Sequence, residues 1–389
     1  MVRIAHVTEA AVRGVNGIAA SIRLLTGELD RRGHDNLVAS AGGAGAGAYE
    51  GIDVPSLPTG AGDFRAVPFP LSALQRRVRA WRPDLIHVHT PGPLGAAGLT
   101  LARRLGIPAV CTYHTDMHGY SDFYRLPAGV IAGAAAVYGR QLRRSNAVTA
   151  LGGARYTAIE AAEDRFFGGA HVIVVPTAAV LRRCRIVSAY AARIRVIATP
   201  PGPRPPPAYD FRLRFGIAAD ARIVLFVGRI APEKGIGLLL DAYAAARARH
   251  PQVLVLAGPV IRPAALRRRV ARTGIAAHTV VTGALTPAEV QAAYLAADVF
   301  AFPSTTDTQG IVLHEAALAG LPLVLVDPAL HAAHPLAPAM RLAAPDPSAF
   351  AAALLDPGHG APARALAARL TPDRFATEIL AAYRSALHG

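Results

Sequence analysis

Short continuous apolar runs alternate along this chain with stretches in which apolar residues recur every three or four positions. Continuous runs mark strands buried on both faces, and the longer period marks helices lying on such a sheet. Arg3–Thr8 reads as a strand, Gly17–Arg32 as a helix and Asn36–Ser40 as a second strand, a β-loop-α-β opening. Helical spacing follows at Leu71–Trp81, a strand at Asp84–His89, a helix at Ala97–Leu105 and a strand at Ala109–His114. Further runs at Ala147–Ala150, His171–Val175 and Ile194–Ile197 are candidates to extend the same parallel sheet.

The pattern breaks at Thr199–Tyr209, TPPGPRPPPAY, whose six prolines exclude helix and central strand and predict a semi-rigid connector. Beyond it the alternation restarts. Strands are expected at Ile223–Val227, Val253–Ala257, Thr279–Thr282, Val299–Phe302 and Pro322–Val326, separated by helices at Ile236–Arg249, Ala264–Thr273, Pro287–Ala296 and Gly310–Ala319. Helical character at Ala361–Leu370 and Arg374–Leu387 closes the chain. The expected fold class is therefore α/β, with two doubly wound Rossmann-like domains facing a cleft. The expected boundaries are 1–200 for the first domain, 201–210 for the linker, 211–370 for the second domain and 371–389 for the last helix.

Composition narrows the function classes. At 389 residues, 52% hydrophobic and 17% charged, the chain has material for two packed cores and is not of the disordered class. Cys111 and Cys184 are too few for a disulfide framework or a zinc site and read as core residues. The opening MVRIAHVTEA reads as a strand rather than an export signal, and the most apolar stretch, Leu126–Gly139, is too short to span a bilayer, so a cytoplasmic location is expected. The net charge of +15 raises nucleic acid and membrane as partners. No nucleic-acid module or interleaving of basic and aromatic residues appears, so no nucleic-acid partner is expected. Peripheral contact with an anionic membrane is the reading kept for Arg76, Arg77, Arg79 and Arg82, for Gln141–Arg144 and for Arg182, Arg183 and Arg185, against the plainer one of solvated faces.

Ligands of open parallel sheets bind beyond the carboxyl ends of the strands, so the polar residues there carry the chemistry. After Ile223–Val227 comes GRIAPEKG, with Arg229 and Lys234, the only lysine of the chain. A compact ammonium beside a guanidinium suits a diphosphate. After Val299–Phe302 comes PSTTDTQGIVLHE, which delivers Asp307, Thr308, Gln309 and Gly310 to a helix start that can receive phosphate, with Glu315 further along the helix. Carboxylates there can accept hydrogen bonds from sugar hydroxyls; the plainer readings are an N-cap for Asp307 and an exposed charge for Glu315. His87 and His89 share a strand face without a convincing third ligand, so no metal is expected.

The blocks GRIAPEKG and TTDTQGIVLHEAALAGLP, separated by VLVLAGP, VVTGAL and AADVFAFPS, resemble family 4 of the retaining glycosyltransferases, which have the GT-B fold. In the first half VNGIAASIRLLTGELDRRGHD resembles the family's glycine loop and first helix, PDLIHVHTPGPLG a later strand and loop, and TYHTD the loop bearing an active-site histidine. The resemblance implies that Arg229 and Lys234 hold the donor diphosphate, and that Asn16 and Gly17 belong to the loop where backbone approaches the phosphates. It implies that Glu315 binds the donor ribose, and that Thr308, Gln309 and Gly310 offer backbone near the sugar phosphate. His114 matches the histidine near the transferred sugar. Asp307 stands where the family has the first of two glutamates, a departure that puts its role in question. The resemblance further implies a last helix returning to the first domain and transfer with retention. It implies no cofactor beyond the nucleotide diphosphate sugar as co-substrate, no metal, and a lipid or small-molecule hydroxyl as acceptor. The alternatives are a related epimerase or phosphorylase, or an inactive protein that binds sugar nucleotides.

Overall fold

The computed structural model describes residues 1–14, 16–58, 65–67, 71–124 and 153–389. They form two compact units, Met1–Pro200 with Thr371–Gly389, and Pro201–Leu370. The strand expected at Ala147–Ala150, the apolar stretch Leu126–Gly139 and the basic segment Gln141–Arg144 lie outside the described residues.

The first unit is built on seven parallel strands, β1 Arg3–Thr8, β2 Asp35–Ala41, β3 Glu50–Val54, β4 Leu85–Val88, β5 Ala109–Thr112, β6 Val172–Val175 and β7 Ile194–Val196, in the spatial order β3-β2-β1-β4-β5-β6-β7. One face carries a core of Val7, Ile86, Val88, Leu99, Phe166, Phe167 and Ile173. The other is closed by the chain's last helix, Pro372–His388, whose Phe375, Ile379 and Tyr383 pack with Ile4, Leu25, Leu29, Leu85 and Val110. Burying each such side chain stabilises by about 1.5–3 kcal/mol. Thr371 caps that helix through its side chain, and Arg32 hydrogen-bonds Asp373 and Thr377 in its first turns. These contacts fix where the helix enters the unit.

The second unit has six parallel strands, β8 Arg222–Val227, β9 Gln252–Ala257, β10 Thr279–Gly283, β11 Val299–Phe302, β12 Leu323–Leu325 and β13 Met340–Leu342, in the order β10-β9-β8-β11-β12-β13. This is the doubly wound Rossmann order. Its core joins Val224, Phe226, Leu239, Leu254, Leu256, Val324 and Phe350.

Among the described residues, β3, β13, the antiparallel pair of Leu57–Pro58 with Arg65–Ala66, and several helices were not expected. β3 and β13 are edge strands, and EGIDV and MRL hold too few consecutive apolar residues to stand out. The helices Gly153–Gly168 and Pro347–Leu355 were also unforeseen; the latter is so Ala-rich that its period is faint. Among the described residues no helix is long and apolar enough to cross a membrane.

In each sheet one pair of adjacent strands belongs to halves that wind in opposite directions. In the first unit these are β1 and β4, with His6 opposite His87; in the second, β8 and β11, with Leu225 opposite Phe300. Loops leaving such a pair diverge and open a crevice at the carboxyl ends of the strands.

Candidate active site

In the second unit the two loops marked by sequence leave this switch point side by side. β8 runs into Gly228 and Arg229, a single 3-10 turn at Pro232–Lys234, and the helix Ile236–Arg247. β11 runs through Pro303–Gly310 into the helix Ile311–Leu318. Gly235 and Gly310 begin the two helices with φ of 70° and 71°, a conformation that favours glycine. A Cβ on Gly235 would lie 2.2 Å from the Pro303 carbonyl oxygen, so only glycine lets the loops touch there. Thr306 Oγ1 then donates to the Glu233 carbonyl at 3.2 Å and ties one loop to the other.

The side chains form two ion pairs. Lys234 Nζ donates to Asp307 Oδ1 at 2.6 Å, and the Arg229 guanidinium lies 3.0 Å from Glu233 Oε1. Glu233 is fully buried. Each of the two cations expected on this loop has a carboxylate partner, and Glu233 is an unforeseen member of the set. Glu233 stood within the quoted motif, but nothing in its spacing announced that it folds back onto Arg229.

Asp307 is not an N-cap. The helix that follows starts at Ile311, with Gly310 as the cap residue and no side chain capping it. The Ile236–Arg247 helix likewise has no side-chain cap, whereas Thr286, Asp327 and Asp346 cap three other helices of this unit. Amides at such a terminus and its dipole favour an anion. Thr308 is half-buried and Gln309 and Gly310 are buried in this loop.

Glu315 is not an exposed charge. It is half-buried and accepts from Tyr294 Oη at 2.8 Å. Burial raises its carboxyl above the ordinary range, with the Tyr294 hydrogen bond acting the other way. Tyr294, on the Pro287–Ala296 helix, was not foreseen.

In the first unit Asn16 is the N-cap of the Gly17–Arg31 helix, its side chain accepting from the Ala19 amide at 2.7 Å. Asn16 and Gly17 thus stand together at the helix start, the Asn16 carboxamide oxygen serving the cap and Gly17 exposed at the first helical position. The helix Pro93–Leu105 starts at the switch point, and the buried Glu9 closes it, accepting from the amides of Leu94 and Gly95 and from the Thr90 hydroxyl. A Cβ on Gly92 would strike the Glu9 carboxylate and one on Gly95 the Thr90 carbonyl, which explains the glycines of PGPLG. Burial raises the Glu9 carboxyl, opposed by these hydrogen bonds.

His114 follows β5, and its imidazole, driven down to about 4 by burial, stays neutral near pH 7. It sits in a stack that sequence did not show. His6, His87 and His89 bring ring nitrogens within 4.8 Å of one another, and His89 stacks on His114 at 5.5 Å. The expectation that HVH lacks a third partner is therefore corrected, since β1 supplies His6. His87 commits one ring nitrogen to Tyr383 Oη and the other to Thr112 Oγ1, both at 2.7 Å, which uses the lone pair a metal would need. The signal was the His-x-His register of β1 against β4, which pairing alone reveals.

Of the basic residues, Arg76, Arg77, Arg79 and Arg82 are all exposed, on or just beyond the Ser72–Trp81 helix. Arg182 is exposed, Arg183 lies 3.9 Å from Asp116, and the side chain of Arg185 lies outside the description.

Two Rossmann-like units of this kind are the parts of the GT-B fold. The model for Glycosyltransferase Family 4 matches residues 15–201, and that for Glycosyl transferases group 1 matches residues 221–356. The chain belongs to glycosyltransferase family 4 and uses a nucleotide sugar. It is 29% identical to the GDP-mannose-dependent alpha-mannosyltransferase of Mycolicibacterium smegmatis, over 84% of this chain and 80% of that one. It is 27% identical to the alpha-monoglucosyldiacylglycerol synthase of Streptococcus pneumoniae, over 83% and 70%. The solved sucrose-phosphate synthase of Thermosynechococcus elongatus superposes with a TM-score of 0.70 at 20% identity, covering 99% of this chain and 98% of that one.

Proposed function

We propose that the chain transfers a hexose from a nucleotide diphosphate sugar, with retention at the anomeric carbon, to a hydroxyl of a lipid or small-molecule acceptor. The observation that carries this reading is the pair of cations at the switch point of the second unit, each balanced by a carboxylate next to a helix start that no side chain caps. Asp307 is the partner of Lys234. A diphosphate arriving at the helix amides competes for that ammonium, and Asp307 is released to accept from donor-sugar hydroxyls. Glu315, held by Tyr294, is the ribose carboxylate of this reading.

Catalysis then rests on stabilising charge that grows on the departing diphosphate. The anomeric C–O bond to the diphosphate breaks, the acceptor oxygen bonds the same face, and the acceptor's hydroxyl proton passes to the departing diphosphate oxygen. Arg229, Lys234 and the helix amides receive the leaving charge, which requires no divalent ion, and His114 of the first unit is the active-site histidine of this reading. The relatives whose names specify alpha-mannosyl and alpha-glucosyl transfer support a hexose and retention. The diacylglycerol named for one of them supports a lipid acceptor, reached by peripheral docking of Arg76, Arg77, Arg79 and Arg82 on the inner face of an anionic membrane. A panel of nucleoside diphosphate hexoses, with diacylglycerol and small polyols as acceptors, tests this by mass spectrometry and by the anomeric coupling of the product. Products of inverted configuration, or donor hydrolysis with no acceptor product, would overturn it.

A further inference from the structure

We propose that Asn36, His6 and His89 are positioning residues for His114, a hydrogen-bonded relay that fixes its neutral ring with the proton on Nε2 and the lone pair on Nδ1. The inference rests on the reading of His114 as an active-site group. The relay starts at a fixed end. Asn36, on β2, donates through Nδ2 to the carbonyls of His34 at 3.2 Å and Thr26 at 3.4 Å. Carbonyls only accept, so the amide orientation is set and Oδ1 faces His6 Nε2, 3.2 Å away. An oxygen acceptor there requires the proton of His6 on Nε2.

Each later link follows from the one before. A neutral His6 protonated on Nε2 has its lone pair on Nδ1, which meets His89 Nε2 at 3.1 Å, so His89 must donate from Nε2. The lone pair of His89 is then on Nδ1, and His114 Nε2, at 3.3 Å, must donate to it. Neutrality along the relay is secured by burial: His6 and His89 are at most 1% exposed, and burial drives both imidazoles down, His6 to about 4. A charged His6 or His89 would reverse every link beyond it and move the His114 proton to Nδ1, so the tautomer is fixed only while those rings are neutral.

The stack is not space filling alone. Leucine or valine would fill the positions of His6, His87 and His89 without desolvating six ring nitrogens, and buried polar groups are tolerated where they satisfy one another. The consequence lies at the end of the relay. Nδ1 of His114 can then accept a hydrogen bond and cannot donate one, so its chemistry suits an O–H or N–H donor and not a phosphate oxygen. A ring free to exchange tautomers would present the wrong atom for part of the time.

Imidazole nitrogen NMR on the full chain, with the His114 signals assigned by their loss in His114→Gln, tests the tautomer directly. The expected result is Nε2–H and an unprotonated Nδ1 at neutral pH; a proton on Nδ1 overturns the relay without any variant needing to fold. In His89→Leu the His114 signals should move towards a mixture of tautomers, and kcat should fall by about tenfold with the donor KM little changed. His89→Gln, whose amide can donate to His6 and accept from His114, should restore both. Unchanged tautomer and kcat in His89→Leu count against the proposal. A fixed tautomer together with full activity of His114→Gln would instead overturn the reading of His114 as an active-site group.

Discussion

Lys234 Nζ and Asp307 Oδ1 lie 2.6 Å apart, joining the loop after β8 to the loop after β11 across 73 residues of sequence. The pair balances one positive and one negative charge where the two loops meet. Replacing Lys234 or Arg229 by Ala should remove charge-assisted hydrogen bonds to the donor worth ~1.5–3 kcal/mol each, a loss of about tenfold or more in affinity. Titration calorimetry with a nucleoside diphosphate checks this, and unchanged isotherms for both variants would sink the assignment.

Asp307→Asn separates the two tasks of that carboxylate. Without its charge Lys234 is freer to meet an anion, so a nucleoside diphosphate lacking the sugar should bind as tightly as before or more tightly. Turnover should fall by about tenfold or more, because the sugar loses a carboxylate that acts in the transition state. Parallel loss of both would mean that Asp307 only braces the loops.

Much of the fold was legible because buried parallel strands are continuous apolar runs: β8, β9 and β11 were bounded to within a residue. Edge strands β3 and β13 were not, since half-exposed backbone needs few apolar side chains. In the candidate site the residue types were visible and their partners were not. Lys234 and Asp307 were both singled out, yet their ion pair depends on β8 and β11 being neighbours, which no local spacing encodes. Glu233, Glu9 and Tyr294 were missed for the same reason: each acts on a group brought to it by the fold. His6 was hidden as one residue of an ordinary strand until β1 and β4 paired.

Buried imidazoles give stability a definite pH dependence. His6, His114 and His314 lie near 4 and His87, His89 and His334 well below 6.5, all chiefly through burial. These depressed values contribute stability that is present above the ordinary value of 6.5 and is lost as pH falls through the folded values, because only the unfolded chain takes up the protons. Each adds about 1.4 kcal/mol per pH unit to the slope within its window. Glu9, Glu163 and Glu315, raised mainly by burial, act in the other sense: their contribution is present below 4.5 and lost as pH rises through the raised values. The imidazoles outnumber them, so urea midpoints should drop steeply between about pH 6.5 and about pH 4. A flat profile across that window would show that the stack is charged or solvated in the folded protein.

Turnover should survive EDTA, because two cations and the helix amides can balance the leaving diphosphate without a bound ion. Activity abolished by the chelator and restored by magnesium or manganese would assign the leaving-group charge to a metal and reduce Arg229 and Lys234 to structural cations.

The exposed arginines of the first unit make the acceptor class testable. Arg76, Arg77 and Arg79 project from the Ser72–Trp81 helix, and Arg82 ends it in a left-handed conformation with φ of 54°. Near an anionic surface each cation contributes ~1 kcal/mol, so four of them suffice for reversible docking at low salt. If the acceptor is a lipid, vesicles containing anionic lipid should bind the protein and release it as salt rises, and activity should follow binding. Replacing all four by Gln should abolish both while leaving transfer to a soluble acceptor analogue intact, since no donor-site residue is touched. If turnover of the true acceptor is indifferent to anionic lipid, the arginines are a solvated face and the acceptor is a small soluble molecule.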